Sequence, residues 1–596
     1  MSGNGQERGV LAALRKTQAV VILDFVPLEV KRAARVVCSR QASHSEGGQV
    51  FNGIADTSGR FASFERRFWK LDGSFMLPEM RHFGEMEIGF ISEQDSRSTG
   101  LYDDPPTVSV ELNEPVNCPA IGCSFDASSG EVADTVRLRG FGADGSVLID
   151  ETISNNRAAH VQTTGGADGV MRVEVNVIRS VLPHRRARIA EVFLGRVLRL
   201  DGDDIFSLKM ISEADPSGVG MPVNQLRLSI ANKGRFDYLD ENSVAQLMAK
   251  RQAFEYRHGV QEADGSVNWR GCGLFYLESF TVNERRVDFV ANGRAHELSA
   301  TTFYNSAIAT MTLGDLIRRV ADEIGFNVAI AQGFFRTPRV PAFLGNVSHR
   351  EALSMLAQVS CCLLTEDRQG GLRFIDLLAS RKARSGMDFD SIYELPKVER
   401  GQYYNGISLR EITYGIAPEE RLVHKNVSVS GGYDFEIHFP RPYVDRGRIQ
   451  LPWGFSLDWV EFHAMYVKGR VTGHGNCLIE VFGRPAVFMP QDNFYPAPWM
   501  GKDERPLPYN VDLPMFINNV CGDYRNFRQW FLNRKFELMR RRLRTQVHWR
   551  QDFGVEVGDK VRVQIDYGGQ ELRGHVVRQE IAFDGGVMSG STGVVG

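Results

Sequence analysis

The stretch NQLRLSIANKGRFDYLD, residues 224–240, is where the fold class is read. Leu226, Leu228 and Ile230 alternate with Arg227 and Ser229. That period of two belongs to a strand with one oily and one wet face. The NKG that follows turns the chain, because Asn and Gly tolerate the backbone angles of tight turns. A strand entering a turn is common in itself. Its neighbours decide what it belongs to.

Upstream, from about residue 17 to 195, short alternating segments recur between turns. They are TVSVEL (107–112), AIGCSFD (120–126), TVRLRGF (135–141), SVLIDETI (146–153) and MRVEVNVI (171–178), with GADGS and GGADG among the turns. Short strands at this spacing predict a two-sheet β-sandwich. From 196 to 306 strands continue with longer loops. FSLKMIS (206–212), CGLFYLESF (272–280) and RRVDFVAN (285–292) join the opening stretch in a β-barrel or second sandwich.

Then the period changes. MTLGDLIRRVADEIG places Leu313, Leu316, Ile317, Val320, Ala321 and Ile324 on one helical stripe. Thr312 with Asp315 makes a capping box, and Gly325 suits the stop. SHREALSMLAQVS repeats the design with Ser348 and Glu351. CCLLTEDRQGGLRFIDL then predicts a hairpin. Residues 307–395 form a small α/β subdomain on this reading. Strands return over 396–522, rich in aromatics and proline, in no order that pattern alone gives. Leu532, Phe536, Met539 and Leu543 predict a long helix over 523–546. The end, 547–596, is β again. The class is mainly β, multidomain, with a small α/β part.

Bulk properties agree with a folded protein. The chain has 596 residues, which at roughly 100–200 per domain predicts about three to five domains. Apolar content of 43% and charged content of 24% fit no fibrous or disordered class. Net charge is −3, without the basic excess of a protein that grips nucleic acid. The basic run RRRLR (540–544) reads as the solvated face of a helix. No apolar run approaches the roughly 20 residues that span a bilayer. AVVILDFVPL (19–28) is too short, is interrupted by Asp24, and reads as a buried strand rather than a leader. The eight cysteines lack zinc-finger spacing to histidine and are too sparse for a disulfide scaffold, so they read as buried and reduced.

Catalytic patterns are absent. There is no GxSxG, HExxH, P-loop or well-placed GxGxxG, and the histidines stand singly. No residue is assigned a catalytic, cofactor-binding or metal-binding role. DGDD (201–204) offers oxygen ligands of the kind calcium takes, but reads first as a solvated turn. In the first domain Trp69, Phe75 and Tyr102 are candidate sugar-contacting aromatics, weighed against burial within the sandwich.

The first domain resembles the discoidin-like (F5/8 type C-like) sandwich of bacteriophage and prophage tail proteins. The carriers are FWKLDGSF, IGFISE, PPTVSVEL, IGCSFD and HRRARIAEVFLG, the last ending at Gly195 like a closing strand. The region after it resembles the N-terminal hub of tail-tip and baseplate proteins. That group includes tail-associated lysins and contractile-tail hubs. SLKMISEADPSGVGMPVNQLRLSIANKGRFDYLDENS, RQAFEYRHGV, WRGCGLFYLESF, the two capped helices and the terminal VEVGDKVRVQIDYGGQELRGHVVRQEIAFDGG follow in the order such hubs show.

The resemblance implies an N-terminal tail (1–16), a discoidin-like sandwich (17–195) and a first tail-tube-like barrel (196–306). After the α/β subdomain it implies a second barrel with an aromatic-rich β region (396–522), the long helix, and a C-terminal segment (547–596) that completes that barrel. It implies a non-enzymatic virion tail protein, assembled in the host cytoplasm without cofactor or membrane anchor. Three copies would form a ring between tail tube and distal tip. Partners would be tube, distal tail, and fibre or spike proteins, with DNA only as cargo. Arg227 and Ser229 would face the channel or the neighbouring subunit. A tail adhesin that binds host-surface glycan through the sandwich is the alternative, and a cell-wall glycoside hydrolase is a third. No lysin domain follows the terminal segment, so wall digestion would fall to a separate partner.

Overall fold

In the computed structural model the described residues are 17–596 except 27, 54–56, 58–60, 67, 70–74, 76, 78–86, 127–130, 201–203, 235, 238, 240–242, 244, 246–247, 249–251, 262–266, 304–309, 369, 380–382, 384, 444–446, 464, 521, 550–553 and 585–586. The expected tail 1–16 and most of DGDD lie outside them. The chain is mainly β, with a small α/β part.

The sandwich packs two sheets face to face. One sheet orders the strands Arg35–Cys38, Thr107–Cys118, Ala167–Ser180, Ala133–Phe141 and Val147–Ile153. The other carries Phe90–Asp95, Ile121–Phe125, His160–Gln162 and the first half of Arg186–Leu200. Alternation explains the core: Val108, Val110, Val173, Val175, Val136 and Leu138 are all fully buried between the sheets.

The strand Arg186–Leu200 continues out of the sandwich. Its second half pairs with Thr17–Asp24, from Asp24 opposite Gly195 to Ala19 opposite Leu200. Thr17–Asp24 in turn pairs with Ala253–Gln261. So the first described strand belongs to the next sheet, not to the sandwich in which the sequence reading placed it. Its apolar run is buried on both sides, with Ala19 to Leu23 each at 4% exposure or less. Buried strands lose the alternation that reveals their sheet.

That next sheet orders Thr17–Asp24, Ala253–Gln261, Val267–Val282, Arg286–Gly293, Gln225–Ala231 and Ile205–Glu213. It curls around one core that contains Leu226, Leu228, Ile230, Phe254, Tyr256 and Phe289. Leu208 and Met210 from the last strand, and Ile581 and Phe583 from the C-terminal strand Glu571–Asp584, complete that core.

The α/β part holds the helices Leu313–Asp322 and His349–Ser360. Thr312 Oγ1 accepts the Asp315 N–H, and Ser348 with Glu351 forms the complete capping box. The hairpin Cys362–Glu366 with Leu372–Asp376 follows, with Gly370 at φ +76° near its tip. This core runs on without a break into Ile407, Leu409, Phe516, Phe527 and Phe531.

The region 396–522 is not one barrel. Gly406–Ile416, Ala486–Pro496 and Pro508–Val511 make a three-stranded sheet. Arg421–His438, Tyr466–Gly483, Arg448–Gln450 and Ser456–Phe462 make a four-stranded one. The two 18-residue strands of the second extend about 60 Å at strand rise. Among these residues, only Val398–Arg400 joins the C-terminal sheet, through Leu543–His548.

The long helix ends early, at Tyr524–Arg540, and not at 546. Arg541 leaves helical geometry at ψ 87°, and Leu543–His548 is a strand paired with Val587–Val595. The RRRLR run therefore crosses a helix end into a strand instead of lying on a helix face. Leu543, read as the last stripe residue, is 36% exposed. An alternating LRTQV fits both periods over so short a window, and pairing with the far end of the chain decided between them.

Seven cysteines among the described residues are free, six of them buried, and burial pushes the Cys38 and Cys118 thiols up to about 12. No helix among the described residues is long and apolar enough to cross a membrane.

Candidate functional site

Three constellations stand out: a loop platform on the sandwich, the polar joint between sandwich and first barrel sheet, and the joint between the two barrel sheets.

The platform is built on 184–188, in HRRAR. A charged residue inside an apolar strand needs a partner. Arg188 is 5% exposed and forms a two-pronged pair with Glu65, itself 3% exposed, with Nη1 at 2.9 Å from Oε1. Burial by itself pushes the Glu65 carboxyl up, but the Arg188 hydrogen bonds and charge outweigh it and hold the group below the ordinary glutamate value. Glu65 also accepts the Arg186 N–H at 2.8 Å. Arg185 donates to Glu131 at 2.8 Å and to the Arg66 carbonyl at 2.7 Å. The Arg188 guanidinium lies 4.2 Å from the centre of the Phe68 ring. Glu65, Arg66 and Phe68 are thereby fixed to the strand.

Beside them Phe64 is fully exposed and Trp69 is 43% exposed. Leu182, in the loop just before Arg185, is exposed as well. Phe75 is half-buried and packs edge-on against Phe68 at 5.6 Å. Tyr102 is elsewhere: at 7% exposure it sits in the core and donates its hydroxyl to the Arg185 carbonyl at 2.9 Å. It braces the platform and offers no face to a ligand. Of the three aromatics singled out in the sequence, Trp69 is exposed, Phe75 is half-buried and Tyr102 is buried. Phe64, Glu65, Arg185 and Arg188 were missed. The signal available was the charge in HRRAR, set against the apolar pattern of its strand.

At the first joint Lys31 lies between two carboxylates, 2.5 Å from Asp24 and 3.0 Å from Glu191. All three are buried. Glu191 also accepts the Gly53 N–H at 2.7 Å. Burial alone lowers the Lys31 ammonium, but the charges of Asp24 and Glu191 outweigh it and raise its pKa. One ammonium serves two acids, and burial pushes Glu191 from 4.5 up to about 8. Native protein keeps a proton on Glu191 that the unfolded chain releases above its ordinary pKa. This contribution to stability is complete below about 4.5 and is lost as pH climbs through about 8. Denaturant titrations are expected to show the unfolding midpoint falling over that window, and Glu191→Gln is expected to flatten this part of the slope.

At the second joint the strand Ile205–Glu213 has two partners. On one side it pairs with Gln225–Ala231, and on the other with Glu571–Asp584, from Ser207 opposite Asp584 to Glu213 opposite Arg578. The C-terminal strands Lys560–Gln564, Val587–Val595 and Leu543–His548 continue from there. They pack their own core of Val547, Trp549, Val561, Val563 and Val576. Two curled sheets thus share one hydrogen-bond ladder. On its outer face Lys209 binds Glu580 at 2.7 Å, Arg578 binds Glu580 at 2.9 Å, and Arg578 closes on Glu213.

Arg227 lies on this outer face, exposed, opposite Lys209, with Nε donating to Gln225 at 3.0 Å. Ser229 does not share its exposure. It is 4% exposed, in register between Ser207 and Asp288, and its Oγ has no hydrogen-bond partner. Asp204, the described end of DGDD, pairs with Lys233 at 2.6 Å. No cluster of three His, Cys, Asp or Glu side chains among the described residues is arranged to hold a metal.

No family model and no curated protein matches the chain. Solved structures do. The chain is similar to a tail protein from Neisseria meningitidis MC58, at 12% identity and TM-score 0.38, over 67% of this chain and 94% of that one. It is similar to the 43 kDa tail protein of prophage MuSo2 from Shewanella oneidensis, at 12% identity and TM-score 0.37, over 67% and 96%. Over 29% of its length it is similar to 96% of a family 32 carbohydrate-binding module of C. perfringens NanJ, solved with galactose, at 11% identity and TM-score 0.18.

Proposed function

We propose that the protein is a structural, non-enzymatic hub of a phage-type tail tip or baseplate. Three copies form a ring that joins the tail tube to the distal tip. The observation that carries this reading is the shared ladder at Ile205–Glu213, which fuses two barrel-like sheets of one chain into a continuous surface. Two such sheets per chain, three chains per ring, would present six similar faces to a hexameric tube.

The long four-stranded sheet supports assembly as well. Its solvent face carries Leu422, Trp459 and Leu478, each about 40% exposed, and Trp453 beside it is fully exposed. In register they are spaced along the strands, Leu422 opposite Phe482, Leu478 opposite Asn426 and Trp459 opposite Arg470, as a long contact face would have them. In domain terms we propose a sandwich that begins after Asp24 and a first barrel that takes Thr17–Asp24 and 196–306. The second barrel consists of 385–400 with 543–596. The test is the assembly state of the purified protein, taken up at the end of the Discussion.

A second reading, compatible with the first, is glycan binding by the platform. It rests on exposed Trp69 and Phe64 beside residues that a buried ion pair fixes in place. Sugar rings stack on such aromatic faces. Full-length protein is expected to bind host-envelope glycans, and Trp69→Ala to weaken that binding about ten-fold, near the size of one buried aromatic contact, with unchanged thermal stability. Glycan arrays without signal for the intact chain would remove this reading and leave the hub untouched.

A further inference from the structure

The helix Tyr524–Arg540, the loop at 401–404 and the second barrel border a cavity of about 440 Å³ that opens to solvent. That size is within the range of small-molecule sites. Its lining is one-sided in charge. Lys535, Arg541, Arg542, Arg544, Lys560 and Arg573 all border it, and no Asp or Glu among the described residues does. Arg541, Arg542 and Arg544 belong to the basic run RRRLR, and the fold adds Lys535 from the helix before it and Lys560 and Arg573 from the C-terminal strands.

Surface arginines near a helix end have an ordinary explanation. Cations there favour the helix dipole. Lys535 escapes it, because it lies inside the helix and is 4% exposed. Burying an ammonium without a carboxylate costs several kcal/mol. What it has is the face of Tyr509, 4.0 Å from ring centre to Nζ. A ring face offsets only part of that cost. Asp376, beside this helix, is taken by Arg534 at 2.6 Å. Arg541 spends one nitrogen on the Leu377 carbonyl at 2.6 Å, and Arg542 lies over Tyr403. Arg573 is paired with Glu571 at 3.4 Å, so Lys535, Arg542 and Arg544 are among the cations left over at the site.

The remaining wall is apolar and aromatic: Tyr404, Tyr509, Leu538 and Met539. Tyr404 meets Tyr509 edge-on at 5.4 Å. We propose that this cavity binds an organic phosphate of nucleotide size, its phosphate on Lys535 and the arginines, its planar portion on the tyrosine wall. Arginine forks and a lysine point charge suit a phosphate that accepts several hydrogen bonds at once. A cavity of this volume admits one such molecule. The proposal stands apart from the hub reading, since it concerns a site within a single chain.

The test is calorimetric titration and thermal melting of full-length protein with adenosine monophosphate, adenosine triphosphate, pyrophosphate, adenosine and a poly-glutamate peptide. Both nucleotides are expected to bind, at least ten-fold tighter than pyrophosphate or adenosine alone. Lys535→Met is expected to weaken nucleotide binding at least ten-fold, while the unliganded variant melts no lower than wild type. Wild-type protein that ignores millimolar nucleotide, binds pyrophosphate equally well, or prefers the acidic peptide would overturn the proposal. So would a folded Lys535→Met protein with undiminished nucleotide affinity.

Discussion

Alanine at position 195 is expected to uncouple the sandwich from the first barrel sheet. Gly195 sits where Arg186–Leu200 passes from one to the other, opposite Asp24 in register, and its N–H donates to the Ala120 carbonyl at 2.9 Å. A β-carbon there would overlap the Leu23 carbonyl oxygen and press on the Asp24 backbone. Backbone cannot swing aside as a side chain can. The ladder from Asp24 to Ala19 must shift, and with it the Lys31 pair to Asp24. A loss of about 3 kcal/mol or more is expected, at the upper end of overpacking. Thermal unfolding followed by hydrogen exchange checks it: protection is lost first across 17–24 and 195–200, while the sandwich core stays protected. Gly145→Ala, with open space around its β-carbon but φ +79°, is the milder comparison.

Glu411→Ala is expected to cost about as much, roughly 3–5 kcal/mol, as when one partner of a buried ion pair is removed. The Glu411 carboxylate is 4% exposed and accepts from four groups. They are the Tyr495 and Tyr524 hydroxyls, each at 2.7 Å, Arg528 Nη1 at 3.2 Å, and Asn493. Burial pushes this carboxyl up, but the four hydrogen bonds outweigh it and keep it below the ordinary glutamate value. It is the polar pin between the three-stranded sheet and the helix Tyr524–Arg540. Removing it leaves the buried Tyr524 hydroxyl and the part-buried Tyr495, Asn493 and Arg528 without their acceptor. Chemical denaturation measures the loss. Glu411→Gln keeps an acceptor oxygen and is expected to lose less than half as much.

Glu411 draws no notice in the sequence, and Gly195 draws it only as the end of a closing strand. Alternation found the strands of the sandwich and the stretch at 225–231, because each has one buried and one wet face. Capping boxes found the helix starts at 312 and 348, because capping is local. Pairing is another matter. Thr17–Asp24 meets Ala253–Gln261, and Ile205–Glu213 meets Glu571–Asp584. Nothing local in either strand encodes a partner hundreds of residues away. The same distance hid the candidate sites. Glu65 meets Arg188 only in the folded sandwich, and Lys535 meets Lys560 and Arg573 only across the cavity.

The opening stretch shows the limit within seven residues. Its oily face was legible: Leu226, Leu228 and Ile230 are all in the first barrel core. Its wet face was half legible. Arg227 is exposed, whereas Ser229 is buried, because neighbouring strands decide exposure and composition does not.

The central claim is that this chain builds a three-fold ring. Its most direct test is the solution mass of the purified protein by light scattering, read beside negative-stain images of the same sample. The account predicts three times the chain mass of 66.8 kDa and ring-shaped particles with three-fold symmetry. A single-chain mass with no ring, at micromolar protein and with its tube partner added, would contradict it.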